Sequence, residues 1–119
     1  MWQPHIFESV KCDSDGAAVG LNGLAACGGI FRNMNAYHLG SFAVNIDNGN
    51  ALEPELIGAI LAVEIAYQNN WAKLWLETDS KLVVAAFKSN PSVVPWQLRQ
   101  RWKNCLHLIS SMDFCVTHL

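Results

Sequence analysis

The stretch that most constrains the fold is Val10-Lys11-Cys12-Asp13-Ser14-Asp15-Gly16-Ala17-Ala18. It reads as the end of a strand over residues 5–14 that runs into an acidic residue and a glycine. Strand alternation puts Asp13 and Asp15 on one face and Cys12 and Ser14 on the other. A carboxylate in mid-strand disfavours strand formation. Two readings follow. Asp13, Asp15 and Gly16 form the turn that ends the strand, or Asp15 sits at the centre of a sheet because it holds a metal. Two further acidic motifs downstream, one at a helix start and one at a strand end, favour the second.

A chain of 119 residues suffices for one domain with one core. With 51% hydrophobic and 15% charged residues it is a folding chain and not a disordered one. No apolar run is long enough to span a membrane. Met1-Trp2-Gln3-Pro4-His5 lacks the basic and apolar regions of a signal peptide. The expectation is an intracellular protein, nuclear or cytoplasmic and not secreted. Cys12, Cys27, Cys105 and Cys115 show no CxxC spacing, so buried free thiols are expected and a zinc site is not. The histidines His5, His38, His107 and His118 are scattered and read mostly as structural. A net charge of −2 argues against strong nonspecific nucleic-acid binding. The basic cluster Arg99, Arg101 and Lys103 reads as a solvated helix face.

The glycines and small residues of 16–22 predict a loop. It contains no GxxxxGK[ST] and so is no P-loop. Residues 24–33 predict a second strand with Gly28-Gly29 inside it. A turn over 34–37 follows, with Asn35 best suited to left-handed dihedrals, and then a strand over 38–46. These three form a meander. After the break Asp47-Asn48-Gly49-Asn50 comes a helix over 53–68, with Pro54 in its first turn and Leu56, Ala59, Ile60, Val63 and Tyr67 on one stripe. Glu55 complements the helix dipole. A strand is predicted over 73–78. Asp79 or Ser80 caps a helix over 81–88. A loop over 89–95, a helix over 96–110 with Leu98, Trp102, Cys105, Leu106 and Ile109 inward, and a strand over 113–119 complete the order β-β-β-α-β-α-α-β. The tryptophans Trp71, Trp75, Trp96 and Trp102 are expected in the core or in helix packing rather than as stacking platforms.

The three acidic motifs, CDSDGAA, EPELIGAILAVEIA and LWLETDSKLVV, stand in a recognisable order. With Trp2, Val10-Lys11, Gly28-Gly29-Ile30-Phe31-Arg32 and Glu77 to Ser80, the chain resembles the ribonuclease H family of the ribonuclease H-like polynucleotidyl transferase superfamily. The likeness is greatest to the plant reverse-transcriptase-associated, retroelement-derived group, and it covers essentially the whole chain. The resemblance implies an α/β fold with a mixed five-stranded sheet, first three strands antiparallel and last two parallel, as a single domain over 1–119. It implies that Asp15, Glu55 and Asp79 are the catalytic, metal-binding carboxylates for Mg2+, with Mn2+ as substitute. Hard oxygen donors suit magnesium, and two such ions can activate water and stabilise a leaving oxygen. It also implies nucleic-acid contacts at Gly16, Asn22 and Ser80.

Complete members of the family continue with an H-x-YREGN-x-x-AD segment that brings a closing helix and a fourth acid. Here the match ends at Cys115-Val116-Thr117-His118-Leu119, so a C-terminally truncated domain is expected. Three functions compete. The first is an endonuclease that cuts the RNA strand of an RNA–DNA hybrid. The second is a weak or inactive retroelement-derived remnant that keeps the fold and some nucleic-acid binding. The third is an α/β interaction domain whose acids are caps and turns. Without the closing helix, an uncovered apolar sheet face is expected, and with it a homodimer.

Overall fold

The structure, a computed structural model, describes residues 9–18, 25–46, 53–88 and 91–119. Strand β1, Val10–Ala18, pairs antiparallel with β2, Ala25–Asn33, which pairs antiparallel with β3, His38–Ile46. Helix α1, Pro54–Gln68, leads into β4, Lys73–Thr78, which lies parallel to β1. Helix α2, Lys81–Lys88, is followed by single 3-10 turns at Pro91–Val93 and Trp96–Leu98, helix α3, Arg99–Ile109, and β5, Asp113–His118, parallel to β4. The sheet order is β3-β2-β1-β4-β5, the mixed sheet the sequence led us to expect.

One correction concerns β1. Its ladder to β2 continues past Ser14, with Asp15 opposite Gly28, Gly16 opposite Cys27 and Ala17 opposite Ala26. The Asp-Gly pair is therefore not a turn. The small residues that suggested a loop fit here because α1 crosses directly over the strand. The proposed first half of the strand, residues 5–8, lies outside the described residues.

Other differences are local. The left-handed residue of the β2–β3 turn is Ala36, with φ of 66°, and not Asn35. The side-chain oxygen of Asn33 organises that turn by accepting the amides of Asn35 and Tyr37 at 2.9 and 3.0 Å. Arg101 is not simply solvated: its guanidinium holds Glu64 of α1 at 2.9 and 3.3 Å and ties α3 to α1. Trp96 is exposed rather than packed.

The core lies between the sheet and a single helical layer. The buried face of the sheet presents Val10, Cys12, Cys27, Phe31, Leu74, Leu76 and Val116. Against it α1 lays Leu56, Ala59, Ile60 and Val63, all fully buried, while Tyr67 at the end of the same stripe is exposed. Phe87 of α2 stacks on Phe114 at 4.9 Å and on Trp102 of α3 at 4.6 Å, so α2 and α3 belong to the same layer. Cys12, Cys27 and Cys105 are buried thiols, as expected. Burial pushes Cys12 and Cys105 up to about 12.

Among the described residues no helix packs on the opposite face. That face is not the apolar surface anticipated above. Lys11, Asp13, Arg32 and Glu77 cross its centre as linked ion pairs. Hydration of these charges removes the reason for expecting a homodimer through it.

Candidate acidic site at the strand ends

The parallel ladder between β1 and β4 ends at the pair Ser14–Thr78. Asp15 is the next residue of β1, which runs on beside β2, and Asp79 is the first residue past β4, so both lie at the carboxyl end of the parallel ladder, where α/β sheets place their ligand crevices. Both line one cleft of about 350 Å3, together with Asp13, Ser14, Ile30, Glu77, Thr78 and Leu119. Both are exposed.

Asp79 is free to face the cleft because it is not used as a helix cap. Ser80 takes that role: its hydroxyl accepts the Val83 amide at 3.3 Å. The Thr78 hydroxyl accepts the Ser80 amide at 3.1 Å and fixes the corner from below. His118 of β5, read from sequence as structural, reaches the site. Its Nε2 lies 3.1 Å from the main-chain oxygen of Asp79 and donates to it in the tautomer that carries the proton there. The signal that could have found His118 is its place in the last strand, where the parallel register sets it opposite Thr78.

Glu55 arrives from the other layer. It sits in the first turn of α1, after Pro54, with Glu53 as the N-cap residue. Gly16 is what lets it come close. A Cβ atom on Gly16 would lie 2.6 Å from the Glu55 amide nitrogen and 2.6 Å from the Pro54 carbonyl carbon. Only a residue without a side chain allows this contact. The Glu55 Oε2 atom is buried and has no hydrogen-bond partner. Glu55 thus lies beside Asp15 along the chain of contacts, but not in the lining of the cleft. Alternation explains the separation: Gly16 points to the helical layer, so Asp15 points to the open face. Among the described residues, no three histidine, cysteine or acidic side chains are gathered as a closed ligand set. Close carboxylates repel one another when no cation lies between them.

Charge sorts the acids of this region. Asp13 is held by Arg32 at 2.8 Å and by Lys11 at 3.5 Å, and Glu77 by Lys11 at 2.9 Å. Asp15, Glu55 and Asp79 have no ion pair among the described residues. Lys11 also stands 4.7 Å above the centroid of the Trp75 ring. The Trp75 indole donates to the Thr117 hydroxyl at 2.8 Å. Burial opposes the charge on Lys11, but its bonds and attraction to Glu77 and Asp13 prevail and hold its pKa above the ordinary lysine value.

Of the nucleic-acid contacts expected from sequence, Gly16 is a packing residue beneath α1 and Ser80 is the α2 cap. Asn22 lies outside the described residues.

The fold has clear relatives. The chain's arrangement matches RNase H1 from the archaeon Halobacterium salinarum over 93% of this chain and 85% of that one, with a TM-score of 0.73 and 22% identity. It matches the N-terminal RNase H domain of a Mycobacterium tuberculosis protein over 93% and 80%, with a TM-score of 0.76 and 20% identity. LC11-RNase H1, solved in complex with an RNA/DNA hybrid, aligns over 92% and 84% with a TM-score of 0.75 and 17% identity. In sequence, 83 residues are 34% identical to an Arabidopsis thaliana protein named "Putative ribonuclease H protein". This match takes in 70% of the chain but only 13% of that relative's length. The model of the reverse transcriptase-like family matches residues 13–119. With Asp15, Glu55 and Asp79 all inside that match, the chain belongs to the reverse transcriptase-like family and carries the ribonuclease H fold.

Proposed function

We propose that this ribonuclease H-like domain binds RNA–DNA hybrids and hydrolyses phosphodiester bonds of the RNA strand, with Mg2+ or Mn2+ as cofactor. One observation carries the reading. Asp15 and Asp79 leave the last rung of the β1–β4 ladder together, face one cleft, and lack, among the described residues, the cation partners that their neighbours Asp13 and Glu77 have.

The donor set fits a hard divalent ion. Asp15, Glu55 and Asp79 offer carboxylate oxygens only, and the buried, unpartnered Oε2 of Glu55 is an acceptor in need of a cation or a donor. Bound magnesium would supply Lewis-acid polarisation of a phosphate and a water of lowered pKa. The chain's own part is positional. Ser80 and Thr78 hold the corner that presents Asp79, His118 anchors the Asp79 main chain, and Gly16 sets Glu55 against the strand. Hybrid recognition generally rests on groove shape and 2′-hydroxyl contacts and not on base edges. Derivation from a plant retroelement and residence in the nucleus or cytoplasm fit the same reading.

A second reading is a remnant of low or no activity that keeps the fold and weak nucleic-acid binding. The observation in its favour is that no ligand set is closed among the described residues. Cleavage of a labelled RNA–DNA hybrid in Mg2+ and in Mn2+, with Asp15→Asn beside the unaltered chain, separates the two. Metal-dependent cleavage that Asp15→Asn abolishes establishes the enzyme. Hybrid binding without cleavage in either metal establishes the remnant.

A further inference from the structure

Two acid pairs lie side by side on the open face. Asp13 and Glu77 are direct partners in the parallel register, one residue before the ladder ends. Asp15 and Asp79 lie two residues further along the same strands. By chemistry alone, both pairs are oxygen donors for a hard cation.

What distinguishes them is Lys11. Its ammonium stands between Asp13 and Glu77, at 3.5 and 2.9 Å. The distances are those of an ion between two carboxylates. Three features keep it there. It is only 27% exposed, the Trp75 ring lies beneath it at 4.7 Å, and Arg32 takes the other oxygen of Asp13 at 2.8 Å. An ammonium over an aromatic face gains further attraction when it is shielded from water.

We propose that Lys11 is a built-in cation that occupies the place of a divalent ion between Asp13 and Glu77, and so confines cation binding to Asp15 and Asp79. Lys11 is on this account a specificity-determining residue that touches neither metal nor substrate. Without it, the face carries four carboxylates within two residues of one another on adjacent strands. A divalent ion then has a second position, displaced from the cleft toward the interior of the face. This inference rests on reading Asp15 and Asp79 as cation ligands.

The test is a Mg2+ titration followed residue by residue through the carboxyl 13C shifts of Asp and Glu. In the unaltered chain Asp15 and Asp79 move while Asp13 and Glu77 stay still. In Lys11→Met, Glu77 moves as far as Asp15, and Asp13 moves through the oxygen that Lys11 has released. Lys11→Arg keeps a cation in place and restores the silence of both. Amide spectra of each variant check that the sheet is intact. Movement of Asp13 and Glu77 in the unaltered chain, or their continued silence in a folded Lys11→Met, overturns the proposal. Silence of Asp15 and Asp79 in the unaltered chain is a different failure. It removes the reading of the cleft, whereas Asp13 and Glu77 in Lys11→Met still report whether lysine was holding an ion position.

Discussion

Gly16 and Glu55 are in main-chain contact: a single methyl group on Gly16 would fall 2.6 Å from the Glu55 amide nitrogen. The helix that brings the second acid to the site therefore rests on the strand that carries the first. The obstacle to a methyl group is the Pro54–Glu55 peptide itself, with the Pro54 carbonyl carbon at the same 2.6 Å, so no side-chain rotation relieves it.

Gly16→Ala is accordingly expected to push the start of α1 away from β1. Overpacking of this kind costs about 1–3 kcal/mol. Urea unfolding should show that loss as a lower midpoint with an unchanged slope. The same variant should weaken Mg2+ binding if Glu55 contributes to it.

Divalent metal should bind weakly, at millimolar Mg2+ or poorer, because magnesium sheds water reluctantly and three acids from separate elements form an open site. Asp15→Asn and Asp79→Asn should each weaken binding on the order of tenfold, about 1.4 kcal/mol. Calorimetric titration measures both. Unchanged affinity in either variant would place the ion elsewhere.

Ser80→Ala separates the cap from the site. It removes the oxygen that accepts the Val83 amide and should destabilise α2 by about 1 kcal/mol. Because Ser80→Ala keeps the main-chain amide that the Thr78 hydroxyl accepts at the Asp79 corner, hybrid affinity measured by fluorescence anisotropy should stay the same. A loss of affinity without a loss of stability would instead make Ser80 a contact residue.

How much of this was legible in the residues differs between elements. β3, β4 and α2 fall within the bounds read from the residues, and β4 has the clearest period, with Leu74, Leu76 and Thr78 buried on one face. β1 was ended too early, at Ser14, because Asp15-Gly16 has the composition of a turn. Only the crossing of α1 over the strand makes small residues an asset there, and that contact joins positions far apart in sequence. The same holds for Asp79. Sequence offered Asp79 and Ser80 equally as the cap, and the choice of Ser80 is made by three-dimensional geometry. The pairing of Lys11 with Asp13 and Glu77 was invisible for a further reason. It depends on which strand lies beside β1, and the meander alone does not say that β4 does.

Alkaline pH should destabilise the fold through its thiols. Burial holds Cys12 and Cys105 up to about 12, against an ordinary value of 9.0, so the folded chain favours the protonated forms. For groups raised in the folded state, the stabilisation is complete below pH 9 and is lost as pH rises from 9 toward 12. At pH 10 each thiol should account for about 1.4 kcal/mol of lost stability. Lys11, whose pKa is raised as well, keeps its charge over the first part of that range. Urea midpoints at pH 7 and pH 10 measure the loss, and Cys105→Ala should reduce the difference between them.

The position of β1 in the sheet also governs the order in which the molecule can be made. β1 meets β2 through a short connection, but on its other side Val10 waits for Leu74. While the chain emerges from the ribosome, the first three strands can associate and α1 can settle on them, yet β1 keeps one edge open until β4 is synthesised. Contacts between distant segments form slowly because loop closure precedes any reward from pairing. The cleft that holds Asp15 and Asp79 is bounded by that last-formed edge. Its assembly is thus a late event, and a chain interrupted before β4 would present a bare strand edge open to pairing with other chains.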